Sequence, residues 1–368
     1  MSNQKSCIVR GASAAAMLAS LMCGAAHAQE FTGMTLTVLG VNSDLNQIYM
    51  QTYGEQFEKE TGAKLVIVTG SSNDNLSKAL VAKNRKPTFQ VIALEDLALA
   101  QAIKAGAVQK LDYAQMPRSK DLAKGAVPVA GYGPSFDFFR FGTCINVAQY
   151  KAHNIKIPTG IDGWFDPAIA GHTILPTPSN FWWATGMQAI ADSENMPLAD
   201  PKPLFTKLQA MKPTSLYTAS GDAQAQLQSG STWLAPTSDG RCYAMKIAGQ
   251  PVEFIPLNLK IGGKTYGWAF GVDTWQVPSG VSGKELALAH KFIDAALTPE
   301  AQLVIARKFG YPPTTNAGLK MAMDLPEAKR VNMYGDHFSF DDMYSPDPQK
   351  LLPYLNQWVA QWNAMFAK

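Results

Sequence analysis

Apolar and polar residues alternate from Met34 to Gly40, which predicts a strand with one buried face. From Ile48 to Glu60 the spacing turns helical. Ile48, Tyr49, Tyr53 and Phe57 share one broad face, and Thr61-Gly62 stops the helix. Ala63 to Thr69 predicts a second, β-branched strand, residues 70–75 a loop, and Leu76 to Lys83 a helix. Phe89 to Leu94 predicts a third strand, followed by Glu95-Asp96 as caps, a helix from Leu97 to Ala105, and Gly106 behind it. Strand and helix alternating in this way imply a parallel sheet with right-handed crossovers. Further on, helices are predicted at Leu204–Met211, Ala223–Gln228, Lys284–Ala296 and Leu351–Phe366, and strands at Ser231–Ala235 and Gly271–Val277. The last helix is amphipathic, with Leu355, Trp358, Val359 and Trp362 on its apolar face.

The first residues follow a different pattern. Lys5 and Arg10 precede a small, apolar stretch, Gly11 to Ala26, and Ala26-His27-Ala28 precedes Gln29. That is a secretory signal peptide, residues 1–28, with cleavage after Ala28 and export to the periplasm. The apolar stretch is too short and too alanine-rich to span a bilayer comfortably. Met22 before Cys23 is too large for a lipoprotein motif.

Cleavage removes two cations and no acid, so 32 Lys and Arg become 30 against 29 Asp and Glu. A net charge of +1 argues against a nucleic-acid or polybasic membrane surface. The remaining 340 residues exceed one ordinary core and suggest two domains. Two cysteines, Cys144 and Cys242, remain in an oxidising compartment. They read either as a disulfide or as two separate buried thiols.

In parallel sheets ligands bind beyond the carboxyl ends of the strands, near helix N-termini. The loops in that position carry Asn42, Ser43 and Asp44, then Ser71 and Ser72, then Glu95 and Asp96. Asn, Ser and Asp also cap helices, so capping and cleft roles both stand for them. Ser179 and Asn180 precede a helix opening Phe181-Trp182-Trp183, where Trp182 could stack on a ligand or belong to the core.

The order of pieces in the second half resembles the polyamine-binding type of periplasmic solute-binding proteins of ABC importers. The pieces are Ser238-Asp239-Gly240-Arg241, Ala248-Gly249, Asp273-Thr274-Trp275 and Gly310-Tyr311-Pro312. The resemblance implies an α/β, two-lobed type II periplasmic binding protein fold. Each lobe would be a mostly parallel sheet flanked by helices, with the ligand in the cleft between. Residues 29–141 plus 270–318 would form the first lobe, and 142–269 plus 319–368 the second. Crossing segments near Arg140–Gly142 and Phe270–Asp273 would act as the hinge. Ser238, Asp239, Arg241, Asp273 and Trp275 join the ligand candidates. Asp273 is the acid expected to meet a solute ammonium, and Arg140 is a second cleft arginine.

The function implied is a monomeric receptor that captures a small organic solute, expected to be amine-bearing (polyamine-like or zwitterionic), and delivers it to an inner-membrane ABC permease. No cofactor, metal or nucleic acid is called for. A carboxylate-binding protein on the same fold is an alternative. So is an iron(III)-binding protein, but relatives of that kind use neighbouring tyrosines and this chain has no Tyr-Tyr pair. A secreted enzyme fits least, because His153, His172, His290 and His337 lie in no metal-binding motif and no Gly-x-Ser-x-Gly elbow occurs.

Overall fold

The computed structural model describes residues 30–366, apart from Asn42, Asn84, Ala219, Asp336 and His337. The proposed signal peptide, Asn42 and His337 therefore lie outside the described residues. The alternating stretch near the start forms β1 (Thr35–Leu39), which pairs in parallel with β2 (Lys64–Val68) and β3 (Val91–Glu95). The segment between β1 and β2 is helical from Ser43, earlier than the spacing predicts. It runs as Ser43–Tyr49, a π turn at Met50–Gly54, and Glu55–Thr61. Likewise the helix after β2 is Ser72–Ala82, starting four residues before the predicted Leu76. Ser71 caps it, its Oγ accepting from the Asp74 amide at 3.1 Å. A polar first turn thus looks like a loop in sequence, although its side chains are what start the helix.

Two long strands tie the molecule together. β4 (Ser135–Asn146) and β11 (Trp268–Gln276) run antiparallel to each other, and β11 is also antiparallel to β3. On its other side β4 pairs antiparallel with β7 (Leu234–Ser238) and β8 (Val252–Ile255). The parallel pair β5 (Ile174–Pro176) and β6 (Ser215–Tyr217) joins this half through a bridge from Thr173 to Leu234, and a short antiparallel pair, β9 (Leu259–Ile261) and β10 (Lys264–Tyr266), precedes β11. Every residue of β4 is buried, as expected of a strand covered on both faces.

The apolar core divides about these strands. One cluster joins Leu36, Val38, Tyr49, Phe57, Trp275 and Phe292, beneath the helix Gly283–Ala296. A larger cluster gathers residues of the second half with the C-terminal helix Leu355–Phe366, where Trp358 and Trp362 meet the Phe205 ring edge-on. Leu288 and Phe292 of the first of these helices are buried, and of the predicted apolar face of the last, Leu355, Trp358 and Trp362 are buried and Val359 is half-buried.

Cys144 on β4 and Cys242 on the helix Asp239–Ile247 form a disulfide, with Cα atoms 5.6 Å apart. Of the two alternatives left by the sequence, the structure has the bridge. It closes a sequence separation of 98 residues. Constraint of the unfolded chain should therefore contribute about 2–4 kcal/mol. Denatured, non-reduced protein should show no thiol to Ellman's reagent. The Cys144→Ser, Cys242→Ser double variant should unfold at lower denaturant, and an unchanged midpoint would refute the contribution.

Candidate functional site

A cavity of about 400 Å³ opens between the two halves. Val41, Ser71, Ser72, Glu95 and Asp273 line one wall, Asn180, Trp182, Thr218, Gly221, Ser238 and Arg241 the other, with Phe139 and Tyr311 between. It sits beyond the carboxyl end of β3, where the parallel-sheet rule places ligands. A larger groove of about 910 Å³ lies elsewhere, lined by residues 150–265 including Lys156, Asp162 and Glu194. It draws on one half of the molecule and contains none of the converging carboxyls, so the candidate site is the 400 Å³ cavity.

Three acids form the core of that wall. Asp273 on β11 is the register partner of Glu95 on β3 and of Asp137 on β4. Directly opposed residues lie about 4.5–5.5 Å apart at Cβ, and like charges there repel. Asp273 keeps 9% of its surface and Asp137 1%. Neither Asp137 carboxyl oxygen, nor Asp273 Oδ1, has a conventional donor. A proton shared between the two carboxyls would form a bond that raises Asp137 and lowers Asp273. Burial pushes Asp273 up to about 7, and that bond opposes the rise. Burial first, then the Asp273 charge, pushes Asp137 well above the carboxylate range. Glu95 is raised by burial and then by Asp273, against the pull of the Trp182 amide, which donates to it from the other wall.

Local structure explains why these side chains face the cavity. Glu95 occupies the N-cap of the helix Asp96–Ala105 but makes no side-chain capping bond, so its carboxylate is left for the cleft. Its own amide donates to Ser72 Oγ at 2.9 Å. Asn75 Nδ2 donates to the carbonyls of Leu39, Gly40 and Ala93, at 3.0–3.2 Å, and ties the strand ends together. A bulge on β4 makes Phe136 and Asp137 oppose a single step of β11, so Asp137 meets Asp273 while Phe136 stacks on Trp275. On the far wall, Gly240 makes room for Tyr311, since a Cβ there would sit 2.2 Å from its ring. The Tyr311 hydroxyl bonds Ser238, and burial raises it to about 12.

Of the residues proposed from sequence, Ser71, Ser72, Glu95, Asn180, Trp182, Ser238, Arg241 and Asp273 line the cavity. Ser43 and Asp44 lie in the first turn of their helix, and their side chains, like Asn42, fall outside the description. Four others are elsewhere. Trp275 follows Asp273 by two residues on the same strand face, but that step leads inward, beneath Tyr49, and the ring is fully buried. Asp96 accepts from the Leu97 amide and from Thr185 Oγ1 at 3.1 Å, and faces a separate cavity of about 260 Å³. Ser179 bonds Thr177, and its carbonyl accepts from Asn73 Nδ2. Asp239 and Arg140 form a buried ion pair, Nε to Oδ2 2.7 Å. Its carboxylate also accepts from the Arg140 and Gly240 amides, which leaves neither residue for a ligand.

Sequence reasoning missed Asp137, Phe139, Thr218 and Tyr311 as site residues. Asp137 had a signal: it is the lone acid in the apolar run Phe136-Asp137-Phe138-Phe139. A carboxylate inside a strand buried on both faces needs a partner or a function.

Residues 52–325 match the sequence model of bacterial extracellular solute-binding proteins. The chain is 23% identical over 290 residues to the spermidine/putrescine-binding periplasmic protein of Escherichia coli K12, covering 77% of this chain and 79% of that one. It is 41% identical over 70 residues, 19% of this chain and 18% of the other, to the putrescine-binding periplasmic protein SpuD of Pseudomonas aeruginosa. Among solved structures, an ABC transporter protein of Clostridium perfringens superposes with a TM-score of 0.68 at 22% identity, over 90% of this chain and 99% of that chain.

Proposed function

The chain belongs to the bacterial extracellular solute-binding proteins, and from that premise we propose that it is a periplasmic receptor for a small amine-bearing solute. The polyamine names of its relatives support this reading. The single observation that carries it is the Glu95–Asp273–Asp137 row. Three carboxyls in a cavity that closes away from water suffer desolvation and mutual repulsion. A charge-assisted hydrogen bond to an ammonium relieves both.

The lobes are residues 29–141 plus 270–318 and 142–269 plus 319–368, with the signal peptide removed before Gln29. β4 and β11 cross between them and bend as the hinge. Solute contacts from both walls stabilise the closed form, which docks on an inner-membrane ABC permease. The solute leaves chemically unchanged.

Native mass spectrometry of protein taken from the periplasm should show a co-purifying amine, and N-terminal sequencing should begin at Gln29. Small-angle scattering with that solute should give a smaller radius of gyration. Identical profiles would count against a closing cleft. A co-purifying dicarboxylate would overturn the amine assignment.

A further inference from the structure

One helix of the second wall is held from the first wall at three points. Asn73 Nδ2 donates to the Ser179 carbonyl, Glu95 accepts from the Trp182 amide, and Asp96 Oδ1 accepts from Thr185 Oγ1 at 3.1 Å. The partners are three residues apart, so they share one face at the start of the helix Phe181–Ser193. The middle point differs from the other two, because Glu95 also belongs to the carboxyl row of the cavity.

The helix Phe181–Ser193 does not cap itself. Its N-cap residue, Asn180, makes no side-chain capping bond, and Asn180 Nδ2 donates instead to the Thr218 carbonyl. The Trp183 and Ala184 amides both reach the Asn180 carbonyl. The Trp182 amide is among the donors that a first turn leaves without an intrahelical partner, and its acceptor is Glu95. A carboxylate is a stronger acceptor there than a neutral acid, because the bond is charge-assisted and the helix dipole favours negative charge at this end. Asp273 from β11, Asp96 from the next position and Asp137 from β4 oppose that charge, and Arg241 lines the other wall of the cavity.

We propose that Glu95 converts solute binding into lobe closure: a solute ammonium holds its carboxylate ionised, and the carboxylate then caps the helix Phe181–Ser193 of the opposite lobe. This rests on the two-lobed amine receptor above and names the positioning residue that couples charge to motion. An ammonium beside Glu95 and Asp273 offsets their repulsion. Without it, Glu95 takes a proton and the cap weakens. Trp182 carries the pull further, since its ring lines the cavity and lies nearly parallel to Phe141 on the crossing strand β4, with 6.2 Å between centroids.

Small-angle scattering and calorimetry on the mature protein test this, with butane-1,4-diamine and 4-aminobutanoate as probes. Each probe is used at a concentration that calorimetry shows to saturate the variant in hand. Wild-type protein should contract with at least one of them. Glu95→Ala should lose more than half of that decrease in radius of gyration, and Glu95→Gln, which keeps an uncharged acceptor, should recover part of it. Trp182→Ala and Trp182→Pro isolate the amide. Both lose the ring and some affinity, only proline also loses the N–H, and a first helical turn tolerates proline. At saturation Trp182→Ala should contract and Trp182→Pro should not, with similar melting temperatures. Should Glu95→Ala bind neither probe, the Trp182 pair alone decides. Full contraction of Glu95→Ala, or equal behaviour of the two Trp182 variants, would overturn the role of Glu95 and leave the amine reading standing. Binding without contraction in the wild type would overturn closure itself. Binding of neither probe by the wild type would overturn the amine reading and the inference with it.

Discussion

Asp273→Asn should weaken binding of the amine solute by about 2–5 kcal/mol, or roughly thirty- to several-thousand-fold. The substitution keeps the shape and removes the central charge of the row. Asp273 is the acid that touches both neighbours, so its loss also ends the competition with Glu95 and Asp137. The protein without solute should become more stable at pH 8, by on the order of 1–2 kcal/mol, because an ionised buried carboxylate is removed. A melting curve and a titration on one preparation therefore move in opposite directions. A purely structural Asp273 would lower stability and affinity together, and that result would sink its assignment as a ligand.

The same row sets a pH dependence. Each of its carboxyls is raised in the folded chain, Asp273 to about 7. A raised acid binds its proton more tightly when folded, so its stabilisation is complete below the unfolded value near 4. That stabilisation is lost as pH rises toward 7. The unliganded protein should accordingly melt lower at pH 8 than at pH 5. An ammonium selects the ionised row, so affinity runs the other way and rises over the same interval, releasing protons on binding. Affinity that is flat between pH 5 and 8 would contradict this.

What was legible in the sequence depended on how local the cause is. The strand–helix alternation from Thr35 to Ala105 was legible because each buried face is written in neighbouring residues. Glu95 was legible as an acid at a strand end, and Asp273, inside its strand, only through the family resemblance. Trp275 was misplaced because spacing assigns a strand face but not which end of the strand meets the cleft. Asp239 was misplaced because its partner, Arg140, lies 99 residues away in sequence and reaches it only through the pairing of β4 with β7. Asp137 was passed over because its meaning comes from Asp273 on the adjacent strand, another non-local pairing.

Breaking the Arg140–Asp239 pair should be the most damaging single change to stability. Both side chains are nearly or fully buried, at 3% and 0% exposure. Arg140 also donates to the Met333 carbonyl at 2.8 Å and lies over the rings of Trp268, Tyr243 and Phe338. It thereby joins the crossing strand β4, the start of the Asp239–Ile247 helix, and the chain beyond residue 330. Burial pushes Asp239 up and Arg140 pulls it back only in part, whereas burial pulls Arg140 down and Tyr243 and Asp239 more than offset it. Three donors nevertheless meet the carboxylate, from Arg140 Nε and the amides of Arg140 and Gly240, and an arginine stays charged. Asp239→Asn leaves that guanidinium buried and uncompensated, at a cost of about 3–5 kcal/mol. Arg140→Met strands the carboxylate at a similar cost. Because removing both leaves no buried charge unpaired, Arg140→Met with Asp239→Leu should lose less stability than either single variant. Denaturant unfolding of the four proteins measures this directly. Losses below about 1 kcal/mol in both single variants, the range of an exposed pair, would show that the buried pair does not anchor the crossing strand.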